Sequence, residues 1–267
     1  MLPRQLMESL PVTKTVKSAL YSVLSPLLKN RVYTSRVGLA AGLKRRGGFG
    51  FLPFKRALTR EHRFLKTLDF EGKTVYDVGG HIGLITMFFA RKVGATGNVV
   101  TFEPNPQNYA AILDHINLNG FANVNVLQMG LGSKRETLEF VVTGSARGSA
   151  SPEKQKQYLG QKDGQVIYIE VDTLDNQIRA NKLPKPDFVK IDVEGLEIDV
   201  LRGMTQTISN HRPEIFIELH GVNEWEVVKL LLDLNYRVHQ VEDGIDIVQQ
   251  DIERVHGHLY ATPQLAD

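Results

Sequence analysis

Residues 73–83, with the sequence KTVYDVGGHIG, decide the fold of this 267-residue chain. The first half of the stretch carries the β-branched and aromatic residues that favour a strand. The glycines that follow allow a sharp turn, and the apolar residues after Gly83 predict a helix over residues 84–93. A strand, a glycine turn and a helix form the start of a βαβ unit, in which ligands bind at the carboxyl ends of the strands.

The same alternation of short apolar runs and helical patterns continues along the chain. Strands are predicted at residues 98–102, 124–128, 138–142, 166–171, 187–193 and 214–219, and helices at residues 107–118, 196–209 and 223–234, the last capped by Asn223. Three further strands are predicted at residues 236–241, 245–248 and 258–262. We therefore expect an α/β fold with a Rossmann-like, mostly parallel, doubly wound sheet and an antiparallel C-terminal edge.

The formal net charge of +2 conceals an uneven distribution. Residues 1–63 hold 13 of the 32 basic residues and only two of the 30 acidic ones. Apolar residues recur at helical spacing over residues 11–28, which predicts a basic amphipathic helix. We therefore divide the chain into a basic N-terminal helical extension, residues 1–63, and a main domain, residues 64–267. The helix is expected to pack on the main domain, and peripheral contact with an anionic membrane is the alternative.

The composition excludes several classes of protein. Because the chain has no cysteine, it forms no disulfide, thiolate zinc site, iron–sulfur cluster or cysteine nucleophile. It also lacks the apolar run of about 18 residues that a membrane-spanning helix needs. The expected location is the cytoplasm, which suits a chain without cysteine, with peripheral attachment to a membrane as the alternative.

Two acidic residues accompany the glycine turn and indicate the ligand. Asp77 stands directly before the glycines, and Glu103 ends the next strand, about 20 residues after Gly83. A carboxylate in the position of Glu103 accepts hydrogen bonds from the hydroxyls of a ribose. A carboxylate at Asp77 would repel the pyrophosphate of NAD or FAD but attract an ammonium group. The pair favours S-adenosylmethionine, and the alternative is that Asp77 only caps the helix.

Four motifs together resemble the FkbM family of S-adenosylmethionine-dependent methyltransferases. They are DVGGHIG at residues 77–83, FEPNP at 102–106, VDTLD at 171–175 and KIDVEGLE at 190–197. The resemblance covers about residues 73–262. It implies a class I methyltransferase fold and transfer of a methyl group, usually to a hydroxyl oxygen of a sugar, glycolipid, polyketide or other natural product.

The resemblance also implies which residues contact the cofactor at its methionine, ribose and adenine parts. These are Asp77, Gly79 and Gly83 at the methionine end, Glu103 at the ribose, and Met129 and Gly130 beside the adenine. Members of the family more often carry Ala-Asn where this chain has Gly80 and His81, and both of these residues belong to the predicted site.

Methyl transfer to a hydroxyl also needs a group that removes one proton. His220 and Asp192 each follow a predicted strand, and either is predicted to act as the general base. Glu194 is two residues from Asp192 and would share one face of an extended strand with it. A second mechanism, less favoured, has Asp192 and Glu194 hold Mg²⁺.

Two neighbouring residues of this motif are interpreted differently. Glu194 is predicted either to belong to the active site or to cap the following helix through its backbone amides. Lys190 is expected to point away from the neighbours of Asp192 or to extend its ammonium group out from the face of the sheet, and it is given no catalytic role.

Polar residues 144–165 are expected to form a long loop that covers the acceptor. The expected acceptor is a small molecule or a glycan. Because residues 1–63 are basic, a nucleic-acid methyltransferase is one alternative, but the chain lacks the Asn/Asp-Pro-Pro-aromatic motif of amino-methylating enzymes. A binding module without catalysis is the other alternative, and the presence of Asp77, Glu103 and Glu194 argues against it.

Overall fold

The computed structural model describes residues 30–36, 38–47, 58–143, 148–161, 164–221, 224–248 and 255–264. The amphipathic helix predicted over residues 11–28 and the helix cap predicted at Asn223 lie outside these residues. Within the described ranges, no helix has the length and the apolar composition to cross a membrane.

The described part of the chain contains fourteen strands and eight helices. The strands are β1 (Val32–Thr34), β2 (Lys44–Arg46), β3 (Thr74–Val78), β4 (Asn98–Phe102), β5 (Val124–Leu127), β6 (Gly130–Leu131), β7 (Glu136–Val142), β8 (Gly148–Ser149), β9 (Gln165–Asp172), β10 (Phe188–Ile191), β11 (Glu214–Glu218), β12 (Tyr236–Gln240), β13 (Ile245–Ile247) and β14 (His258–Pro263). The helices are α1 (Arg60–Thr67), α2 (Leu84–Lys92), α3 (Pro106–Asn119), α4 (Pro152–Leu159), α5 (Leu174–Asn181), α6 (Glu197–Arg202), α7 (Thr205–His211) and α8 (Glu224–Asp233).

The main sheet has eight strands in the order β13-β12-β14-β11-β10-β3-β4-β5. All neighbours from β11 to β5 pair in parallel, whereas β14 and β12 pair antiparallel with their neighbours. The chain builds outward from β3 in one direction with β4 and β5 and in the other with β10 and β11. This confirms the expected doubly wound α/β sheet, and it predicts a ligand crevice at the carboxyl ends of β3 and β10.

Apolar side chains cover both faces of the main sheet. Tyr76 and Val78 pack in one apolar cluster, and Val75 packs in another, because successive residues of a strand point to opposite faces. Every residue of β3 is buried, including Asp77. The strand therefore has water on neither side, and a charge within it must find a partner inside the protein.

The single helix predicted over residues 196–209 is wrong, because the chain forms two helices there. α6 ends at Arg202 and α7 begins at Thr205. Between them, Gly203 packs so closely on the loop after β6 that a Cβ would overlap the carbonyl oxygen of Gly132. Asp175 accepts hydrogen bonds from the first backbone N–H groups of α7, so the break has its own cap.

The long polar loop predicted over residues 144–165 is also wrong in part. Strand β8 and helix α4 lie within it, and β8 joins a second sheet of four strands in the order β6-β9-β7-β8. Pro152 begins α4 directly after Ser151, which is the position in a helix where proline costs least. Residues 144–147 lie outside the described ranges, and Ser145 and Arg147 are among them.

The described part of the N-terminal extension packs on the main domain. Leu39 shares an apolar cluster with Leu65 and Phe70, and the guanidinium of Arg91 donates hydrogen bonds to the carbonyls of Leu39 and Ala41. Helix α1 crosses the boundary that the sequence predicts at residue 63.

His115 of α3 connects the β1–β2 hairpin to the glycine turn. Its Nε2 accepts a hydrogen bond from the backbone N–H of Arg46 at 3.1 Å, and its Nδ1 donates to the carbonyl of Ile82 at 2.9 Å. The side chain is buried, and burial lowers the pKa of His115. Both hydrogen bonds require the neutral imidazole with its proton on Nδ1.

We predict that acid weakens the fold through His115. The pKa of His115 in the folded protein lies below the value of about 6.5 in the unfolded chain. The neutral imidazole therefore stabilises the fold fully above that pH, and this stabilisation is lost as the pH falls toward the folded pKa. The free energy of unfolding should fall in that window by at most about 1.4 kcal/mol per pH unit. Urea unfolding of the wild type and of His115→Gln over this window measures the effect. An equal pH slope in the two proteins would contradict the prediction.

Candidate functional site

A cavity of about 270 Å³ opens at the carboxyl ends of β3, β4, β10 and β11. The four-stranded sheet forms one wall through Phe140, Ile169 and Val171. The predicted site residues that line the cavity are Gly79, His81, Glu103, Met129, Gly130, Asp192, Glu194 and His220. The remaining three, Asp77, Gly80 and Gly83, do not line it. The cofactor contacts of eight of these residues and the catalytic roles of Asp192, Glu194 and His220 stay predictions.

The glycine turn packs directly against the loop that follows β10. Gly79 has a φ of 87°, and a Cβ there would overlap the carbonyl oxygen of Asp192. A Cβ on Gly80 would overlap the side chain of Thr101 on β4. The close approach of two backbones therefore requires glycine here even without a ligand, and it brings Asp192 to the cavity.

Glu103 lines the cavity from the end of β4 and is held by backbone amides. Its Oε2 accepts from the N–H of His81 at 2.7 Å, and its Oε1 accepts from the N–H of Asn105 at 2.9 Å. His81 has a φ of 49°, a left-handed conformation that is uncommon outside glycine. Burial raises the pKa of Glu103 to about 7, although the hydrogen bonds lower it.

Lys190 is buried between two carboxylates in the main sheet. Its Nζ lies 2.9 Å from Oδ2 of Asp192 and 3.8 Å from Oδ1 of Asp77, with 1% of the side chain exposed. Oδ2 of Asp77 accepts a hydrogen bond from Oγ1 of Thr86 at 2.6 Å. The expectation that Lys190 points away from the neighbours of Asp192 is therefore wrong, since residues two apart on a strand share a face.

The charges of these three groups are coupled. Burial alone would lower the pKa of Lys190, but Asp192 and Asp77 raise it above its ordinary value. Burial would raise the pKa of Asp192, but Lys190 lowers it below its usual range. Burial raises the pKa of Asp77, and this effect is larger than the lowering by Lys190 and Thr86, so the pKa lies above its ordinary value. Asp192 therefore carries the negative charge at the cavity, while Asp77 lies behind it against an ammonium group.

His220 lies at the cavity with its ring oriented by a buried carboxylate. Its Nδ1 is 2.8 Å from Oε1 of Glu197, which also accepts from the N–H of Gly195 at 3.0 Å. Its Nε2 lies 3.6 Å from Asp192 and 3.8 Å from Glu194. Burial lowers the pKa of His220, but Glu197 and the neighbouring carboxylates raise it to about 9 overall. The three predicted catalytic residues therefore meet at one point.

Glu194 reaches this point from a turn and not from an extended strand. β10 ends at Ile191, and Glu194 has a φ of 56°. No side chain caps α6, and the carboxylate that accepts from the turn belongs to Glu197. The interpretation of Glu194 as a helix cap is therefore wrong. The hydroxyl of Ser149 donates to the carbonyl of Glu194 at 2.7 Å, so the small sheet holds this turn in place.

Four carboxylates line the cavity, and no lysine or arginine of the described residues does. The carboxylates belong to Glu103, Asp192, Glu194 and Glu218. Asp192, Glu218 and His220 also form a group whose ligand atoms lie within 4.8 Å of one another. Glu194 is not a member of that group, and Lys190 already occupies one oxygen of Asp192. The Mg²⁺ site at Asp192 and Glu194 stays a prediction.

Sequence reasoning missed the roles of Lys190 and Glu197. Both residues lie in the motif at residues 190–197. The two-residue spacing between Lys190 and Asp192 places them on one face of a strand. Glu197 gave no signal of its own, because its contact with His220 joins residues 23 positions apart along the chain.

Several known proteins are similar to this chain in sequence. A family model described as the methyltransferase FkbM domain matches residues 77–238. Hexuronic acid methyltransferase AglP of Haloferax volcanii is 29% identical over 162 residues, which cover 60% of this chain and 62% of AglP. Methyltransferase 1 of Beauveria bassiana is 24% identical over 174 residues, which cover 60% of this chain and 70% of that protein. The match thus spans less than two thirds of AglP.

The crystal structure of a methyltransferase FkbM from Methylobacillus flagellatus superposes with a TM-score of 0.49 at 19% sequence identity. The superposition covers 73% of this chain and 45% of that chain.

We predict that Lys190→Met destabilises the protein by about 3–5 kcal/mol, because it leaves the buried carboxylate of Asp77 and the partly buried carboxylate of Asp192 without their cation. Lys73→Met is the matched control, since Lys73 pairs with Glu214 at 3.0 Å with both side chains about 30% exposed. Loss of such a pair should cost about 1 kcal/mol or less. Denaturant unfolding of both variants measures the difference, and equal losses would contradict the role given to Lys190.

Proposed function

The chain belongs to the FkbM methyltransferase family, and from this premise we propose that it is an S-adenosylmethionine-dependent O-methyltransferase. Its acceptor is a hydroxyl group of a sugar, a glycolipid or another natural product. The name of AglP, a hexuronic acid methyltransferase, supports a sugar as the acceptor.

The observation that carries the proposal is the charge of the cavity. Four carboxylates line it without a lysine or arginine from the described residues. Such a lining opposes the pyrophosphate of a dinucleotide and favours a ligand with an ammonium and a sulfonium. From the sequence, Asp77 and Glu103 were expected to select the ligand together. Asp77 does not line the cavity, so the carboxylates of the lining support the choice better.

The residues present fit the ribose and adenine parts of the cofactor. Oε1 of Glu103 accepts from the backbone N–H of Asn105 and the side chain of Asn108, whereas Oε2 accepts from the N–H of His81 and keeps a lone pair for a ribose hydroxyl. Met129, Leu131 and Phe102 supply an apolar surface suited to an adenine ring. S-adenosylmethionine, when bound, supplies a methyl group on a sulfonium leaving group.

The acceptor end of the site is the point where Asp192, Glu194 and His220 meet. Glu197 fixes the ring of His220, so that Nε2 is directed toward the two carboxylates. We infer that the Asp192–His220 pair takes up the proton of the acceptor hydroxyl when His220 is neutral, so turnover should rise as the pH approaches its pKa of about 9. Groups this close titrate together, so the proton belongs to the pair and not to either residue alone.

The charge of the lining also bears on the nucleic-acid alternative. Phosphodiesters would meet the same carboxylates that oppose a pyrophosphate, and this repulsion favours a neutral acceptor over a polyanion. The convergence of Asp192 and His220 in turn favours an enzyme over a binding module. Methyl incorporation into RNA or DNA and not into a carbohydrate acceptor would overturn this choice.

We predict that the protein binds S-adenosylmethionine and not NAD, and that Glu103→Gln weakens this binding by about 10–100-fold. A hydrogen bond to a charged group contributes about 1.5–3 kcal/mol, which gives this range. Isothermal titration calorimetry with each compound measures the affinities. Glu170→Gln, an exposed carboxylate outside the cavity, is the control and should bind as the wild type does. Uptake of NAD alone would refute the proposal.

We predict that His220→Asn and Asp192→Asn each lower turnover by about 10²–10⁴-fold, the usual contribution of a positioned acid or base. The affinity for S-adenosylmethionine should change much less in His220→Asn. Single-turnover transfer of a labelled methyl group to a panel of glycosides, with calorimetry on the same variants, separates the two effects. Wild-type turnover in either variant would remove that residue from the proton transfer.

A further inference from the structure

A second cluster of potential metal ligands lies beside the cavity, at the antiparallel edge of the main sheet. Glu218 and His258 are directly opposed in the pairing of β11 with β14, so their side chains lie on one face. Glu61, in the first turn of α1, approaches the same point. Nε2 of His258 is 3.6 Å from Oε2 of Glu218 and 3.9 Å from Oε2 of Glu61. One ligand atom from each of the three residues lies within 4.8 Å of the others.

Two buried atoms of this cluster have no hydrogen-bond partner. They are Oε1 of Glu61 and Nε2 of His258. Glu61 is 8% exposed, so water does not solvate its carboxylate freely. Native proteins pair such buried polar atoms or bind them to an ion, and both of these atoms belong to side chains that face a common point.

The other ring nitrogen of His258 is already held by a carboxylate. Nδ1 lies 2.6 Å from Oε1 of Glu242, and Oε2 of Glu242 accepts from the backbone N–H of His258 at 2.7 Å. The ring also stacks on Phe216 at 5.6 Å between centroids. This is the usual arrangement around a metal-binding histidine. The carboxylate on one ring nitrogen fixes the tautomer, and the other nitrogen is left directed at the metal ion.

The charges of the cluster also favour a cation. Glu61, Glu218 and Glu242 surround one imidazole. The buried ammonium of Lys190 also acts on Glu61, but it pairs with Asp192 at 2.9 Å and faces Asp77 as well. A second imidazole, on His62, lies 3.9 Å from Glu61, and burial lowers its pKa. Three carboxylates therefore leave negative charge that one proton on His258 offsets only in part.

We propose that Glu61, Glu218 and His258 bind a divalent transition-metal ion. One imidazole and two carboxylates match the donor preferences of Zn²⁺ and Mn²⁺, whereas Mg²⁺ prefers six oxygen ligands. Metal–ligand bonds of about 2.1 Å place tetrahedral ligand atoms about 3.4 Å apart. The observed separations of 3.6 and 3.9 Å need only small side-chain movements to reach that value.

The position of the ion gives it a structural role. It joins α1, which precedes the main sheet in the chain, to β11 and β14 at the sheet edge. It also fixes Glu218, whose other oxygen lies 3.8 Å from His220 in the cavity wall. The ion therefore clamps the N-terminal helix to the domain and orients one carboxylate of the cavity.

The test uses the full-length protein without a polyhistidine tag, treated with a chelator and then dialysed. Isothermal titration with ZnCl₂, elemental analysis after desalting and the electron paramagnetic resonance of added Mn²⁺ measure the binding. We expect one ion per chain and a Zn²⁺-dependent rise in the melting temperature. Glu61→Gln and His258→Asn should abolish both effects, and Glu242→Gln should weaken binding by about 10–100-fold.

Two controls locate the ion. His239→Gln alters a histidine that bonds to Asp246 at 3.0 Å at an exposed edge, and it should keep the wild-type stoichiometry. His220→Asn should also keep the ion, because His220 belongs to the other ligand group. Circular dichroism confirms that each variant is folded before titration. No bound ion in the wild type, or an ion that His220→Asn loses and His258→Asn keeps, would overturn the proposal.

Discussion

One buried ammonium group, on Lys190, is the interaction on which the rest of the site depends. It lies at the centre of the main sheet with 1% of its side chain exposed, between Asp77 of β3 and Asp192 after β10. Asp77 is fully buried and Asp192 reaches the cavity with 26% of its side chain exposed, and removal of the ammonium group between them leaves both charges uncompensated. The strands that carry them are neighbours in the sheet, so the ion pairs and the parallel pairing stabilise each other.

The two loops at the ends of these strands are joined by contact as well as by charge. Gly79 has no side chain where the carbonyl of Asp192 approaches, and the small sheet holds the same loop through Ser149. The glycine turn and the small sheet therefore hold the loop after β10 from two sides before any ligand binds. An enzyme that works mainly by positioning two reacting groups needs a binding site that is already in place before the ligand binds.

Charge also distinguishes the two ends of the site. Glu103 is held by backbone amides at the end of β4, while Asp192, Glu194 and His220 converge beyond β10 and β11. Glu218 contacts both this convergence and the second ligand cluster at the sheet edge. A single carboxylate thus connects the proposed acceptor end with the proposed metal ion.

The amino-acid sequence by itself determined the strands of the main sheet, the glycine turn and the motifs of the family. These features depend on neighbours within a few residues, through apolar periodicity and the conformational freedom of glycine. It also predicted Glu103, Met129, Asp192 and Glu194 of the cavity lining, whereas Phe102, Leu131 and Glu218 were found there only in the structure. The break between α6 and α7 was not predictable in this way, because it arises where Gly203 meets Gly132, more than 70 positions earlier.

Only the tertiary structure decided which charged groups are partners. Asp77 follows the pattern of a ligand-binding carboxylate, yet it lies behind the cavity against Lys190. Glu197 has no local signal, yet it orients His220 across 23 positions. Glu61 and His258 are separated by nearly the whole main domain and approach within 3.9 Å. The energy of a charge depends on the three-dimensional position of its neighbours and on the exclusion of water, and neither quantity can be calculated from the spacing of residues along a chain.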